Sequence, residues 1–209
     1  MSASGTNKSP SIGFLSVVEH EDQNLYGGYL ILNPSGRPLE FHCTAPVRAN
    51  RAQEILYGAT LKPYLYGEQI GRTLLGKASS KPLFLCTDEL HALTVRQFIK
   101  TPTMLIVDRC LDGESTDSVP STEYAVPSTA YPVPSTQYRV HNSEPGVPAP
   151  KSLQRFTIDG IQAATLETHI DDQQAILDAW QPYRGNLDLF EPFTRIREAI
   201  EEAQCSVTR

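Results

Sequence analysis

Between Arg48 and Arg72 the chain collects Arg48, Arg51, Tyr57, Tyr64, Tyr66 and Arg72, interleaved with Gln53, Glu54, Glu68 and Gln69. Arginine and tyrosine join large contact area to polar tips and are enriched where surfaces bind partners. Gly58, Pro63, Gly67 and Gly71 interrupt the same stretch and lower its helix propensity. Conflict between local preference and fold is common at functional sites. The chemistry is that of an interaction surface, with a protein as the expected partner and a polyanion as a second choice. The architectural alternative is that the tyrosines cap the core and keep only their hydroxyls in water.

Thiols and imidazoles are the next candidates. His42 and Cys43 are adjacent, but neighbours on a strand point to opposite faces, so they cannot act as a nucleophile pair. Cys43, Cys86, Cys110 and His91 could in principle surround a metal, yet no short paired spacing supports it. The expectation is no metal site, with four reduced, structural cysteines in a cytoplasmic protein. No G-x-G-x-x-G, G-x-x-x-x-G-K-[ST] or G-x-S-x-G occurs, which removes the standard phosphate cradles and nucleophile elbow. Gly27-Gly28 inside an apolar run reads as a bulge or a close backbone approach.

The elements that position these residues follow from pattern. Ile12–Val18 and Tyr26–Leu32 are apolar β-rich runs, and Leu39–Thr44 alternates as a half-buried strand does. Asn33-Pro-Ser-Gly36 between the last two is turn chemistry, so the three form an antiparallel meander. Asn50 with Gln53 makes a capping box for a helix whose buried stripe is Ile55, Leu56 and Ala59. Pro63 breaks it, and a second helical stretch from Tyr64 to about Ala78 pairs Ile70 with Leu74. Lys81–Cys86 is a buried strand, Thr87 caps a further helix, and Thr103–Asp108 is a strand parallel to the previous one. Beyond a gap, Leu153–Ile158 is a possible strand. Thr168 with Asp171 caps a helix reaching Trp180, and Glu191-Pro192 opens a last helix with Phe193, Ile196 and Ile200 on one face. The class is α/β.

The order βββ-α-β-α-β over residues 12–108 resembles the ribonuclease-H-like fold. Nucleases of that fold hold two divalent cations with carboxylates from the first strand, the first helix and the end of the fourth strand. The resemblance implies Glu19, Glu54 and Asp88 as catalytic carboxylates and Mg2+ as cofactor, since clustered cations need several hard oxygen ligands. Ile12–Val18 departs from that pattern by containing no acid. The alternative function is therefore a divalent-metal-dependent nuclease or phosphotransfer enzyme. The bland reading makes Glu54 a solvated helix carboxylate and Asp88 a helix-opening acid.

Composition divides the 209 residues into three. Residues 1–111, the expected α/β domain, carry a formal charge of +2; residues 112–150 and 151–209 carry −4 each. The middle part repeats Val119–Tyr124, Val126–Tyr131 and Val133–Tyr138 as VPSTxY. Proline in every repeat excludes a coiled coil and favours extended chain, a flexible linker or a docking and phosphorylation segment. Residues 151–209 read as an acidic, mainly helical segment packing on the first domain. A net charge of −6 argues against coating nucleic acid. No apolar run approaches the ~18 residues that span a bilayer, and the polar N-terminus lacks a secretory pattern.

Overall fold

The computed structural model describes residues 10–20, 23–109 and 153–207. The VPSTxY segment 112–150 and Cys110 lie outside them. The fold is mixed α/β, with one sheet of seven strands in the order β3-β2-β1-β4-β5-β7-β6.

β1 (Ile12–Glu19), β2 (Leu25–Leu32) and β3 (Pro38–Cys43) form an antiparallel meander. Asn33 closes its second turn, its side-chain oxygen accepting from the Ser35 and Arg37 amides at 3.0 and 2.9 Å. β1 then pairs in parallel with β4 (Leu85–Thr87), and β4 in parallel with β5 (Thr103–Arg109). A hairpin of β6 (Leu153–Ile158) and β7 (Ile161–Leu166) completes the sheet through antiparallel pairing of β7 with β5. β7 is an addition to the expected elements.

Central β1 is apolar along nearly its whole length because both of its faces are covered. Ile12 and Phe14 join the core under α4 (Asp171–Trp180) and α5 (Glu191–Val207), where Ile176, Trp180, Phe193, Ile196 and Ile200 are buried. Leu15 and Val17 face the opposite layer, with Leu65, Ile70 and Leu74. That layer is one helical run: α2 (Leu61–Pro63), a π-helix (Tyr64–Arg72) and α3 (Thr73–Lys77). Adjacent Gly27 and Gly28 of β2 let the two layers approach. A Cβ on Gly27 would sit 2.2 Å from Ile70 Cγ2, and one on Gly28 2.4 Å from Ile196 Cγ2.

Four expectations are corrected. α1 (Arg51–Tyr57) has the Asn50/Gln53 capping box, yet buries no side chain. Ile55 is 68% exposed, Leu56 is 81% exposed and Ala59 is also exposed, because the underlying sheet face is already filled by the π-helix and α3. α4 starts without a side-chain cap, and the Thr168 hydroxyl lies instead 3.0 Å from His169 Nδ1. Cys43 is exposed at the end of edge strand β3, whereas Cys86 is fully buried. The helix expected after Thr87 is a short 3-10 turn, Ala92–Gln97. Among the described residues no helix is long and apolar enough to cross a membrane.

Candidate functional site

β1 and β4 are neighbours in space but not in sequence, and being parallel they end at the same edge of the sheet. Ligands of open α/β sheets bind in the crevice outside such carboxyl ends. β1 ends on Glu19, and β4 is followed by Asp88 and Glu89. Leu25, at the start of β2, exchanges two 2.8 Å backbone hydrogen bonds with Val47 and so brings the following Arg48 to this edge.

An open groove of about 230 Å3 results, lined by Glu19, Gln23, Leu25, Arg48, Ala49, Glu54, Leu61, Lys62, Leu65 and Tyr66. The π-helix delivers Tyr66. Gly67 and Gly71 permit the close packing that this requires: a Cβ on Gly67 would lie 2.0 Å from Thr94 Oγ1, and one on Gly71 2.9 Å from Val95 Cγ2. Such π-turns are frequent at functional sites. The buried Tyr66 ring lies 5.7 Å from the His91 ring, and its hydroxyl donates to Glu19 Oε2 at 3.3 Å. Burial, reinforced by the Glu19 charge, pushes the phenol pKa far above its ordinary value, so Tyr66 acts only as a neutral donor.

Behind the groove, burial raises the Glu89 carboxyl to about 7, with Asp88 and Glu19 adding to the rise while Lys62 opposes it. Burial also lowers His91, with Lys62 contributing in the same direction. Asp88 is raised mainly by burial, a shift that the Arg197 guanidinium and the Ser16 hydroxyl counter. Asp88 Oδ2 accepts from Arg197 of α5 and, at 3.1 Å, from Ser16 of β1. Its Oδ1 has no hydrogen-bond partner among the described residues.

The structure thus brings Arg48 and Tyr66 to one groove together with Glu19 and Glu54. Tyr57 stacks on Tyr64, centroids 4.3 Å apart. Arg51 pairs with Glu54 at 2.9 Å. Arg72 lies 3.6 Å from Glu68 and 5.6 Å from the Phe98 ring centre. Asp88 turns to Arg197 rather than to Glu54. Among the described residues, no three His, Cys, Asp or Glu side chains are grouped so as to hold a metal ion. Cys43 is exposed on β3 while Cys86 is enclosed in β4, where burial drives its thiol pKa well up. Sequence reasoning passed over Lys62, Glu89 and Arg197. An acid pair directly after a buried strand was the available signal for Glu89; nothing local foretells Arg197, which reaches Asp88 from the far end of the chain.

Neither a protein-family model nor a curated protein matches the sequence.

Proposed function

We propose that the chain is a protein-binding module whose recognition surface is the Arg48–Arg72 segment. The observation that supports it best is α1, a capped helix that buries nothing of its own and holds Ile55 and Leu56 out to solvent. Clustered exposed apolar side chains mark interaction sites. Here they are accompanied by the stacked Tyr57–Tyr64 pair and by Arg48 and Arg51, the side-chain types that anchor interfaces. A polyanion partner draws less support, because Glu54 and Glu68 already pair with Arg51 and Arg72. The free thiols of Cys43 and Cys86 suit a cytoplasmic protein.

A divalent-metal nuclease or phosphotransfer enzyme is the second reading. Glu19 and Glu54 do line a common groove at the strand ends, but Asp88 is occupied by Arg197 and Ser16. A shared two-cation site would require that pairing to be released.

The test places a photoreactive residue at Leu56 of the full chain in its native cells, with the same label at exposed Gln174 on α4 as control. The expected result is a discrete adduct with one protein from position 56 alone, abolished by Ile55→Asp with Tyr57→Ala in a folded chain. No adduct, or the same adduct from both positions, removes the reading.

A further inference from the structure

We propose that edge strand β3 pairs with β3 of a second copy of this chain, antiparallel about a two-fold axis at Phe41, to give a dimer with one continuous sheet. The inference goes beyond the α1 reading and does not rest on it.

β3 closes the sheet on one side and β6 on the other. The Thr44 amide donates to the Gly27 carbonyl at 3.0 Å, and backbone groups alternate in direction along a strand. His42 therefore turns its amide and carbonyl to β2, while those of Phe41 and Cys43 point away from the sheet. Among the described residues nothing bonds to them. Open donors and acceptors on an edge are a template for another strand. The side chains there are apolar as well. Phe41 lies opposite Leu30 and Cys43 opposite Gly28, on the side of the sheet that α5 covers. Both nevertheless stand outside that cover: Phe41 is 38% and Leu39 44% exposed, and Cys43 is exposed too.

The order of side chains names the occupant. Leu39-Glu40-Phe41-His42-Cys43 is complementary to itself about Phe41. With the axis there, Phe41 faces the partner's Phe41, Glu40 faces the partner's His42 and Cys43 faces the partner's Leu39. Aromatic pairs and opposite-charge pairs are the cross-strand neighbours that stabilise a sheet. Moving the axis by one residue would instead set Glu40 against Glu40 or His42 against His42. The Ser79 and Ser80 amides already hold the Glu40 carboxylate in place. Pro38 and the register shift beside it guard one end of β3 and keep the contact short. β6 exposes Arg155 and Thr157, polar side chains that discourage pairing. An isologous contact uses each β3 once and leaves only those guarded edges, so assembly closes at two chains.

The test is sedimentation velocity of the full chain under reducing conditions, from micromolar to near-millimolar concentration. A monomer–dimer equilibrium with nothing larger is expected. Phe41→Lys puts a natural edge guard on the axis, facing its own twin, and should weaken the dimer at least about tenfold. Leu39→Lys, at a more exposed position, should act in the same direction, while Ile55→Asp on α1 should change nothing. Circular dichroism shows that each variant is folded. Register is read by treatment with oxidised glutathione. Phe41→Cys, in a chain whose Cys43, Cys110 and Cys205 are replaced by serine, sets two thiols directly opposite, with Cα atoms about 5.5 Å apart and within disulfide reach. It should form a covalent dimer. Cys43, kept with Phe41 intact while Cys110 and Cys205 are replaced, lies about 13 Å from its twin and should not. The proposal is overturned by a chain that stays monomeric throughout, by growth beyond the dimer or by full affinity in both lysine variants. Loss of the dimer in Ile55→Asp, or a covalent dimer through Cys43 formed as readily as the one through position 41, overturns it equally.

Discussion

Arg96 grips Asp172 through two parallel hydrogen bonds, Nε to Oδ2 at 2.7 Å and Nη2 to Oδ1 at 3.0 Å. The pair ties the 3-10 turn after β4 to the first turn of α4. Asp172 is 3% exposed and also accepts from the Thr103 amide at 3.2 Å, while Arg96 donates its remaining arm to the Ile99 carbonyl at 2.7 Å. The two bonds between the side chains need both partners, whereas the Thr103 and Ile99 contacts each belong to one of them. Removing one partner of a buried pair costs about 3–5 kcal/mol, because the other charge is left stranded. Arg96→Met or Asp172→Leu is therefore expected to lower the unfolding free energy by that amount. The double variant should cost less than the sum of the two. Additive losses in a denaturant double-mutant cycle would show that the two groups do not stabilise each other.

Glu40 on β3 makes a different forecast. The Ser80 hydroxyl leads the contacts that lower its carboxyl to about 2; the Ser79 amide, His42 and the Ser80 amide follow, against an opposing effect of burial. A carboxylate whose folded pKa is depressed adds stability above its unfolded pKa near 4.5 and loses it as pH falls toward about 2. Glu40→Gln should flatten the acid limb of the stability curve between those values. It should also free the Ser79–Ser80 turn, whose amides reach Glu40 at 2.9 and 2.7 Å. An acid limb unchanged in the variant would place the acid sensitivity elsewhere.

Glu89 has the opposite sign. Its folded pKa of about 7 lies above the unfolded value of 4.5. Its contribution to stability is thus greatest below 4.5, declines as pH rises through the interval and levels off above about 7. Glu89→Gln removes the ionisation and should make the protein less sensitive to pH between 4.5 and 7. Chemical denaturation of both proteins at pH 5 and pH 8 checks this. A variant with the same pH slope as the native chain would show that Glu89 ionises normally.

What could be read from the sequence was whatever rests on nearest neighbours. The meander shows in the alternation of Leu39–Thr44 and the Asn33–Gly36 turn, and the Asn50/Gln53 box marks the start of α1. The β6–β7 hairpin carries an equally local signal. Asp159 and Gly160 both take positive φ, 48° and 73°, the conformation for which Asp-Gly is favoured in two-residue hairpin turns. Asp159 then receives the Trp180 indole N–H at 2.7 Å and locks the hairpin to the end of α4. The exposure of Ile55 and Leu56 could not be read locally. Their spacing suits a buried stripe, and only the prior claim of Ile70 and Leu74 on the sheet keeps them out. Of the groove, Arg48 and Tyr66 were visible as residue types. The Asp88–Arg197 pair was not, since no local pattern joins the residue just after β4 to one on α5.

Gly27 and Gly28 test the two-layer packing directly. Each forbids a methyl group from the opposite side of β2, with Ile70 on one face and Ile196 on the other. Gly27→Ala and Gly28→Ala should each destabilise by about 1–3 kcal/mol, as overpacking does when buried neighbours must shift. Their effects should be nearly additive, because they strain separate layers. Either substitution leaving the melting temperature unchanged would mean that the helix above it has room to move.

The last forecast separates surface from scaffold within the Arg48–Arg72 segment. Ile70 is fully buried against Gly27, so Ile70→Ala removes packed methylenes and leaves a cavity, at a cost of about 2–5 kcal/mol. Ile55 and Leu56 project into solvent from a helix with no buried residue. Their replacement by serine deletes no contact with the core and should change stability by less than about 0.5 kcal/mol each. Both experiments truncate aliphatic side chains of the same segment, Ile70 on the π-helix and Ile55 and Leu56 on α1. A large contrast in thermal unfolding, with circular dichroism preserved in Ile55→Ser/Leu56→Ser, would show that these two side chains do nothing for the fold. Their retention at the surface would then need a partner to explain it. Comparable losses in both variants would mean that α1 is held to the domain through Ile55 and Leu56, and the proposed surface would be part of the scaffold.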